Sequence, residues 1–181
     1  MMLWNNQAVA DPVKSVEGLF CRHSFIDGMI ILKKSISGDV VLLDRHCIEK
    51  VTGHLRQSTS ELGGLLLGSV FTNGSKSLVV EVMESVPSST FQNSAVSLRM
   101  DPEVWSRASR KMDQSGHTLV GWYHSHPNLG AFFSGTDRIS QRNFFYNKYS
   151  VGLVVDPILE QQKIFIGPSA LEVETTNVLV I

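Results

Sequence analysis

Val120-Gly121-Trp122-Tyr123-His124-Ser125-His126-Pro127 is an apolar run closed by two histidines one residue apart, and seven residues, Pro127 to Phe133, separate His126 from Ser134-Gly135-Thr136-Asp137. Thr118 to Tyr123 is rich in β-branched and aromatic residues, as a buried strand is. Side chains alternate along a strand, so His124 and His126 share a face and one cation can reach both. Pro127 lacks the N–H that another ladder bond requires, so the strand is expected to stop where the histidines stand. Ser134-x-x-Asp137 has the form of a helix capping box. An Asp in the first turn also points out from the helix mouth, so capping and metal binding are compatible roles. Two neutral imidazoles and one carboxylate make a three-ligand set, which suits a catalytic zinc that keeps its fourth position for water. A four-ligand structural zinc needs a further Cys or His nearby, and the stretch from His126 to Val155 supplies none.

The 181 residues suffice for one domain with a substantial core and are short for two. Sixteen Lys plus Arg against seventeen Asp plus Glu leave a formal charge of −1. That balance creates no global attraction to nucleic acid or anionic membrane, so a partner must be recognised locally. The opening Met1-Met2-Leu3-Trp4-Asn5-Asn6 lacks a basic n-region and an apolar h-region, and no apolar run approaches membrane-spanning length. A soluble cytoplasmic protein is expected. Cys21 and Cys47 are too few for a disulfide framework and have no Cys-x-x-Cys spacing. Their scarcity also excludes the zinc deaminases, which need thiolate ligands. His46 and Cys47 are neighbours, but adjacent helical residues face different ways, which excludes a thiol nucleophile built from them.

Along the chain, Asp39–Leu43 reads as a strand, with Leu19-Phe20 and Met29–Leu32 as further strand candidates. Met1 to about Val16 reads as the most flexible stretch. Asp44 caps a predicted helix over Arg45–Ser58, where Ile48, Val51 and Leu55 recur at helical intervals. Leu62–Phe71 and Ser77–Val86 form a predicted hairpin through Thr72-Asn73-Gly74-Ser75. Pro87–Ser94 reads as a loop, and alternation follows in Ala95–Met100. Asp101-Pro102-Glu103 starts a helix to about Gln114. After the histidine strand come a helix from Ser134 to about Asn147, a strand at Ser150–Val155, and two more at Lys163–Gly167 and Leu171–Ile181. Interleaved strands and helices predict an α/β class, a mixed sheet flanked by helices.

The order His-x-His, seven residues, Ser-x-x-Asp resembles the metal signature of the JAMM, or MPN-plus, metallopeptidases. The string Val120–Pro127 is especially similar to the proteasome-lid and signalosome members. Glu61-Leu62-Gly63-Gly64-Leu65-Leu66-Leu67-Gly68 resembles the family segment in which a catalytic glutamate precedes a Gly-rich strand. Gly152-Leu153-Val154-Val155-Asp156-Pro157 resembles the strand and turn after the metal-site helix. These matches span about Gly38 to Gly167. The resemblance implies a three-layer, cytidine-deaminase-like MPN fold over residues 38–181, preceded by an extension over residues 1–37.

The resemblance further implies one Zn2+ ion held by His124, His126 and Asp137, Glu61 as general base and the Ser134 hydroxyl as oxyanion donor. Composition alone does not single out Glu61 among nine glutamates. A solvated strand-end carboxylate and a simple helix cap are the competing readings of Glu61 and Ser134. The implied reaction is hydrolysis after the C-terminal Gly tail of ubiquitin or a ubiquitin-like protein. The segment Val86–Leu98 corresponds to the insertion that guides such a tail, making Val86, Pro87, Ser88 and Phe91 candidate contacts, with Phe132 and Phe133 from the loop before Ser134. Asn128-Leu129-Gly130-Ala131 departs from the Gly-aromatic-Gly pattern of many eukaryotic relatives. E1-like and E2-like conjugation proteins are possible associates. Two alternatives stand beside this reading: a JAMM hydrolase of a sulfur-carrier protein or small peptide conjugate, and a non-catalytic MPN scaffold.

Overall fold

The computed structural model describes residues 12–72, 74, 77–94 and 97–181. In chain order these form β1 (Val13–Ser15), a 3-10 turn (Val16–Cys21), α1 (Phe25–Ser35), β2 (Val40–Leu43), α2 (Arg45–Leu55), β3 (Gly63–Thr72) and β4 (Leu78–Pro87). Next come β5 (Phe91–Ser94), β6 (Ser97–Met100), α3 (Pro102–Ser115), β7 (Thr118–Ser125), α4 (Gly135–Phe144), β8 (Val151–Asp156), β9 (Gln161–Ile166), β10 (Leu171–Glu172) and β11 (Val178–Val180). The mixed sheet runs β10-β9-β8-β7-β3-β4-β2-β11, with β1 parallel to the end of β3, where β7 no longer pairs. The strands β5 and β6 form a separate antiparallel hairpin. Among the described residues no helix is long and apolar enough to cross a membrane.

The central strands are buried on both faces, and their alternation builds two cores. Leu66, Val70, Tyr123 and Leu153 pack with Cys47, Val51 and Leu55 of α2. The alternate residues Leu65, Leu67, Trp122 and Val154 pack with Val104 and Ala108 of α3, Phe91 of β5, and Phe133 and Phe145 on either side of α4. A third cluster joins Leu19 and Ile31 to Val40, Leu42, Phe71 and Val79, so residues before β2 pack onto the sheet. Burying a side chain such as Leu55 contributes about 1.5–3 kcal/mol, and the three clusters hold helices on both faces of the sheet.

Several predicted elements change character. Met29–Leu32 lies in α1, and Leu19-Phe20 lies in the 3-10 turn. Ser24 accepts from the Asp27 N–H at 3.2 Å, a cap that commits the apolar run to helical rather than strand geometry. Phe91–Ser94, read as loop, is a strand paired with β6. Leu171–Ile181 is broken by a 3-10 turn at Thr175–Asn177, which leaves only β10 and β11 extended. Within the predicted flexible stretch, Val13–Ser15 is β1 and residues 1–11 lie outside the described residues; so do Asn73 and Ser75 of the predicted turn. The flanking strands are the antiparallel β3–β4 pair that the turn was predicted to join.

The rotation of α4 on the sheet is fixed by a buried amide. Gln141 accepts from the Trp122 indole N–H at 2.6 Å and donates to the Ser150 carbonyl at 2.8 Å and the Gly167 carbonyl at 3.3 Å. Its side chain also explains Gly152, where a Cβ would sit 2.2 Å from the Phe133 ring and 3.1 Å from the Gln141 oxygen. Gln141 lies one helical turn after Asp137 on the same face, so holding one places the other. Gln141→Leu strands the Trp122 N–H and weakens satisfaction of two buried carbonyls. The expected cost is about 1–3 kcal/mol, read as a lower urea midpoint for the metal-free protein, with no change expected if the network is dispensable.

Candidate metal centre

Strand β7 carries His124 at its penultimate position, directly opposite Gly63 of β3 and Val154 of β8. A Cβ at Gly63 would lie 2.4 Å from the Phe91 ring and 2.7 Å from the Tyr123 carbonyl, so this first β3 residue must be small. His126 follows the strand and still donates its N–H to the Val155 carbonyl at 3.0 Å. Between the histidines, Ser125 faces the other way and ties in the chain before β3. It accepts from the Leu62 N–H at 3.0 Å and donates its own N–H to the Leu62 carbonyl at 2.9 Å. Glu61 is thereby held beside β7, with Oε1 3.9 Å from His126 Nε2 and the side chain 43% exposed. Sequence reasoning missed Ser125, whose only signal was its place between the two histidines.

Asp137 enters from the first turn of α4. The capping box is complete: Ser134 Oγ accepts from the Asp137 N–H at 3.2 Å, and the Ser134 N–H donates to Asp137 Oδ2 at 2.7 Å. His124, His126 and Asp137 are all buried. Their atoms converge: Nε2 to Nε2 is 3.1 Å, His124 Nε2 to Asp137 Oδ1 is 3.2 Å, and His126 Nε2 to Asp137 Oδ2 is 3.4 Å. Ligands about 2.0–2.1 Å from a tetrahedral zinc stand about 3.3–3.4 Å from one another. The three residues therefore form a buried cluster with the donor set and spacing of a metal site.

Both Nδ1 atoms are buried without a hydrogen-bond partner among the described residues, although metal-bound histidines usually donate from the second nitrogen. Aromatic packing orients the rings here. His124 stacks on Trp122 at 4.6 Å and on Phe91 at 5.8 Å, with Phe133 tilted at 5.7 Å. The Phe132 ring lies 4.9 Å from that of His126. Burial opposes charge on His126, but the hydrogen bond and charge of Asp137, with Glu61 and Asp156 behind, hold its pKa above the ordinary value. Burial likewise opposes ionisation of Asp137, yet the bonds to His124 and His126 keep its carboxyl well below the usual range.

A second carboxylate shapes the loop between the ligands. Asp156, buried at the end of β8, accepts from the N–H groups of Asn128 at 3.1 Å, Gly130 at 2.7 Å, Ile158 at 2.9 Å and Leu159 at 3.0 Å. Burial pushes its pKa up, but these amides, Leu159 first, hold it well below the usual carboxylate range. Asn128 takes a left-handed φ of 62°, which asparagine tolerates.

The predicted substrate contacts divide. Pro87 is exposed and Phe132 is 44% exposed, whereas Val86, Ser88, Phe91 and Phe133 are buried. Ser88 Oγ lies 2.6 Å from the Thr90 carbonyl and 2.9 Å from Asp101 Oδ2, two acceptors that share its single proton. Asp101 makes no side-chain cap bond to α3 and instead pins this hairpin root, also accepting from the Ser89 N–H at 2.7 Å. Burial opposes its ionisation, but these bonds hold its pKa down at about 2. Cys47 is buried, and burial with the nearby Asp44 charge pushes its thiol up to about 12, too high for a nucleophile.

Residues 44–164 match the family of prokaryotic homologs of the JAB domain. The NAD(+) hydrolase TcpA of Theionarchaea archaeon (strain DG-70-1) is 33% identical over 98 residues, 54% of this chain and 27% of that protein. The 26S proteasome non-ATPase regulatory subunit 14 of Caenorhabditis elegans is 32% identical over 127 residues, 67% of this chain and 39% of that one. COP9 signalosome complex subunit 5 of Drosophila melanogaster is 32% identical over 114 residues, 60% of this chain and 34% of that subunit. This chain thus spans between about a quarter and two fifths of these relatives. The solution structure of a Desulfitobacterium hafniense protein superimposes with a TM-score of 0.59 at 23% identity, covering 78% of this chain and 92% of that one. The sheet and flanking helices are those of the MPN fold, the buried His-His-Asp cluster is consistent with a metal site, and the chain belongs to the family of prokaryotic homologs of the JAB domain.

Proposed function

We propose that this chain is a zinc-dependent isopeptidase or peptidase that hydrolyses the bond after the C-terminal Gly tail of ubiquitin or a ubiquitin-like protein. The observation that carries the reading is the convergence of His124, His126 and Asp137 with the Glu61 carboxylate 3.9 Å from His126 at the solvent rim. When bound, a zinc ion polarises the scissile carbonyl and lowers the pKa of water from 15.7 toward about 7. Glu61 takes the proton released on attack and hands it to the leaving amine, which cannot depart as a bare amide anion. Its partial exposure lets it meet both water and leaving group. Ser134 donates to the developing oxyanion. Its oxygen accepts from the Asp137 N–H, and its hydroxyl proton, which also faces the Asp137 carboxylate, turns to the oxyanion as charge develops there.

A Gly-Gly tail is thin and extended, so it can add as a strand to the β5–β6 hairpin and enter between Pro87 and Phe132. Contact at Val86, Ser88, Phe91 and Phe133 then runs through backbone and packing, because their side chains are turned inward. Family membership supports a ubiquitin-like conjugate, and E1-like and E2-like proteins are the associated chemistry. A sulfur-carrier or small peptide conjugate would use the same machinery. The complete ligand set disfavours a silent scaffold. The archaeal NAD(+) hydrolase matches over only 27% of its length, so NAD+ belongs in the test as a competing substrate.

Purified protein is expected to bind one zinc and to cleave a member of a panel of modifier fusions, with chelation abolishing turnover. Turnover of NAD+ alone would overturn the peptidase reading. Glu61→Gln is expected to retain zinc and lose about 10²–10⁴-fold in kcat, and full activity would remove Glu61 from the base role. Asp137→Ala is expected to lose both metal and cleavage. For Ser134→Ala, loss of a cap alone costs about 1 kcal/mol of stability. An oxyanion donor costs about 2.7–4 kcal/mol of transition-state stabilisation as well, so a fall of about 10²–10³ in kcat is expected, and unchanged kcat would leave Ser134 a cap only.

A further inference from the structure

Strand β5 touches the metal centre twice. Phe91 and Asn93 are two residues apart and therefore share a face. Phe91 stacks on the ring of His124. Asn93 Nδ2 donates to Asp137 Oδ1 at 2.7 Å, so one short strand outside the main sheet contacts two of the three candidate ligands. The amide is itself held, because Ser140 Oγ, buried on α4 three residues after Asp137, donates to Asn93 Oδ1 at 2.6 Å. That bond and the Asp137 carboxylate require the same amide orientation: oxygen toward the hydroxyl, nitrogen toward the carboxylate. Asp137 is consequently gripped at both oxygens, Oδ1 by Asn93 and Oδ2 by the Ser134 N–H.

Resting on the metal reading above, we propose that Asn93 is a positioning residue that fixes the Asp137 carboxylate for the cation, and that this bond couples the β5–β6 hairpin to metal occupancy. The carboxylate can rotate about its terminal bond unless both oxygens are held. Ser134 alone holds one. With Asn93 in place the ligand is preorganised, and the energy of binding is not spent on freezing it. Coupling is reciprocal, so metal binding must also steady β5, the strand on which an extended substrate tail would pair. Nothing in the linear sequence marked Asn93, which stands in a polar stretch among Gln92, Ser94 and Ser97.

The test measures zinc affinity by competition with a chromophoric chelator in wild type, Asn93→Leu and Ser140→Ala, beside the thermal midpoint of each metal-free protein. Asn93→Leu keeps the bulk near Asp137 and removes the donor. Its zinc dissociation constant is expected to rise about 10–100-fold, with a smaller rise for Ser140→Ala and metal-free midpoints close to wild type. Hydrogen exchange supplies the reciprocal readout: zinc is expected to slow exchange in Phe91–Ser94 of wild type and not of Asn93→Leu. Zinc affinity of Asn93→Leu within threefold of wild type, a loss matched by destabilisation of the metal-free protein, or exchange in β5 indifferent to zinc would each overturn the proposal. Failure of the wild-type protein to take up zinc would instead overturn the metal reading beneath it.

Discussion

The site depends on strand β7 being paired along both edges, antiparallel to β3 and parallel to β8. A strand so placed has no freedom to slip, because a shift by one residue would exchange His124 for Tyr123 on the α4 face and expose two cores to the wrong layers. Its register decides which chain ends meet. The start of β3 brings Glu61, the end of β7 brings both histidines, and the end of β8 brings Asp156. Helix α4 adds Asp137 across the same rim because Gln141 locks its rotation against Trp122 and two carbonyls. The candidate ligands and the Glu61 carboxylate, from distant parts of the chain, are brought to one rim by backbone pairing and by the packing of α4.

Around this geometry the environment is graded. The three converging side chains are sealed behind Trp122, Phe91 and Phe133, while Glu61 stands at the edge of water. Burial opposes charge in the sealed part, and the hydrogen bonds from His124 and His126 hold the Asp137 carboxyl below its usual range there. The rim carboxylate keeps access to solvent, as the proposed proton transfer would require. Aromatic rings flank the His124 imidazole, whose Nδ1 has no hydrogen-bond partner among the described residues, so they both orient the ring and exclude water.

Much of this was legible in the sequence, for definite reasons. The His-x-His strand, the capping box and the β3–β4 hairpin each carry a local periodic or capping signal, and each appears where those signals place it. No local pattern distinguishes Glu61 from eight other glutamates; the family resemblance alone pointed to it, and the structure places its carboxylate 3.9 Å from His126 Nε2. What escaped was chemistry that crosses between segments. Strand β5 looked like loop because its inward positions are one aromatic and one amide, the latter facing polar atoms instead of core. Met29–Leu32 looked like strand because its apolar residues are consecutive, and the Ser24–Asp27 cap outweighed that run. Ser125, Gln141 and Asp101 are ordinary polar residues whose partners lie far along the chain.

The bonds gathered by Asp156 bear on how far the motif is a self-contained module. Two of its four amide partners belong to the loop between the candidate ligands, and two belong to the turn after β8. The arc from His126 to Asp137 is therefore closed by an acceptor on a neighbouring strand and not by its own residues. Transplanted into a foreign sheet without such an acid, that arc would leave the Asn128 and Gly130 amides in search of water, and chain entropy would set the gap between imidazoles and carboxylate. The portable unit is two parallel strand ends and the helix between them, with the familiar signature as only its visible part.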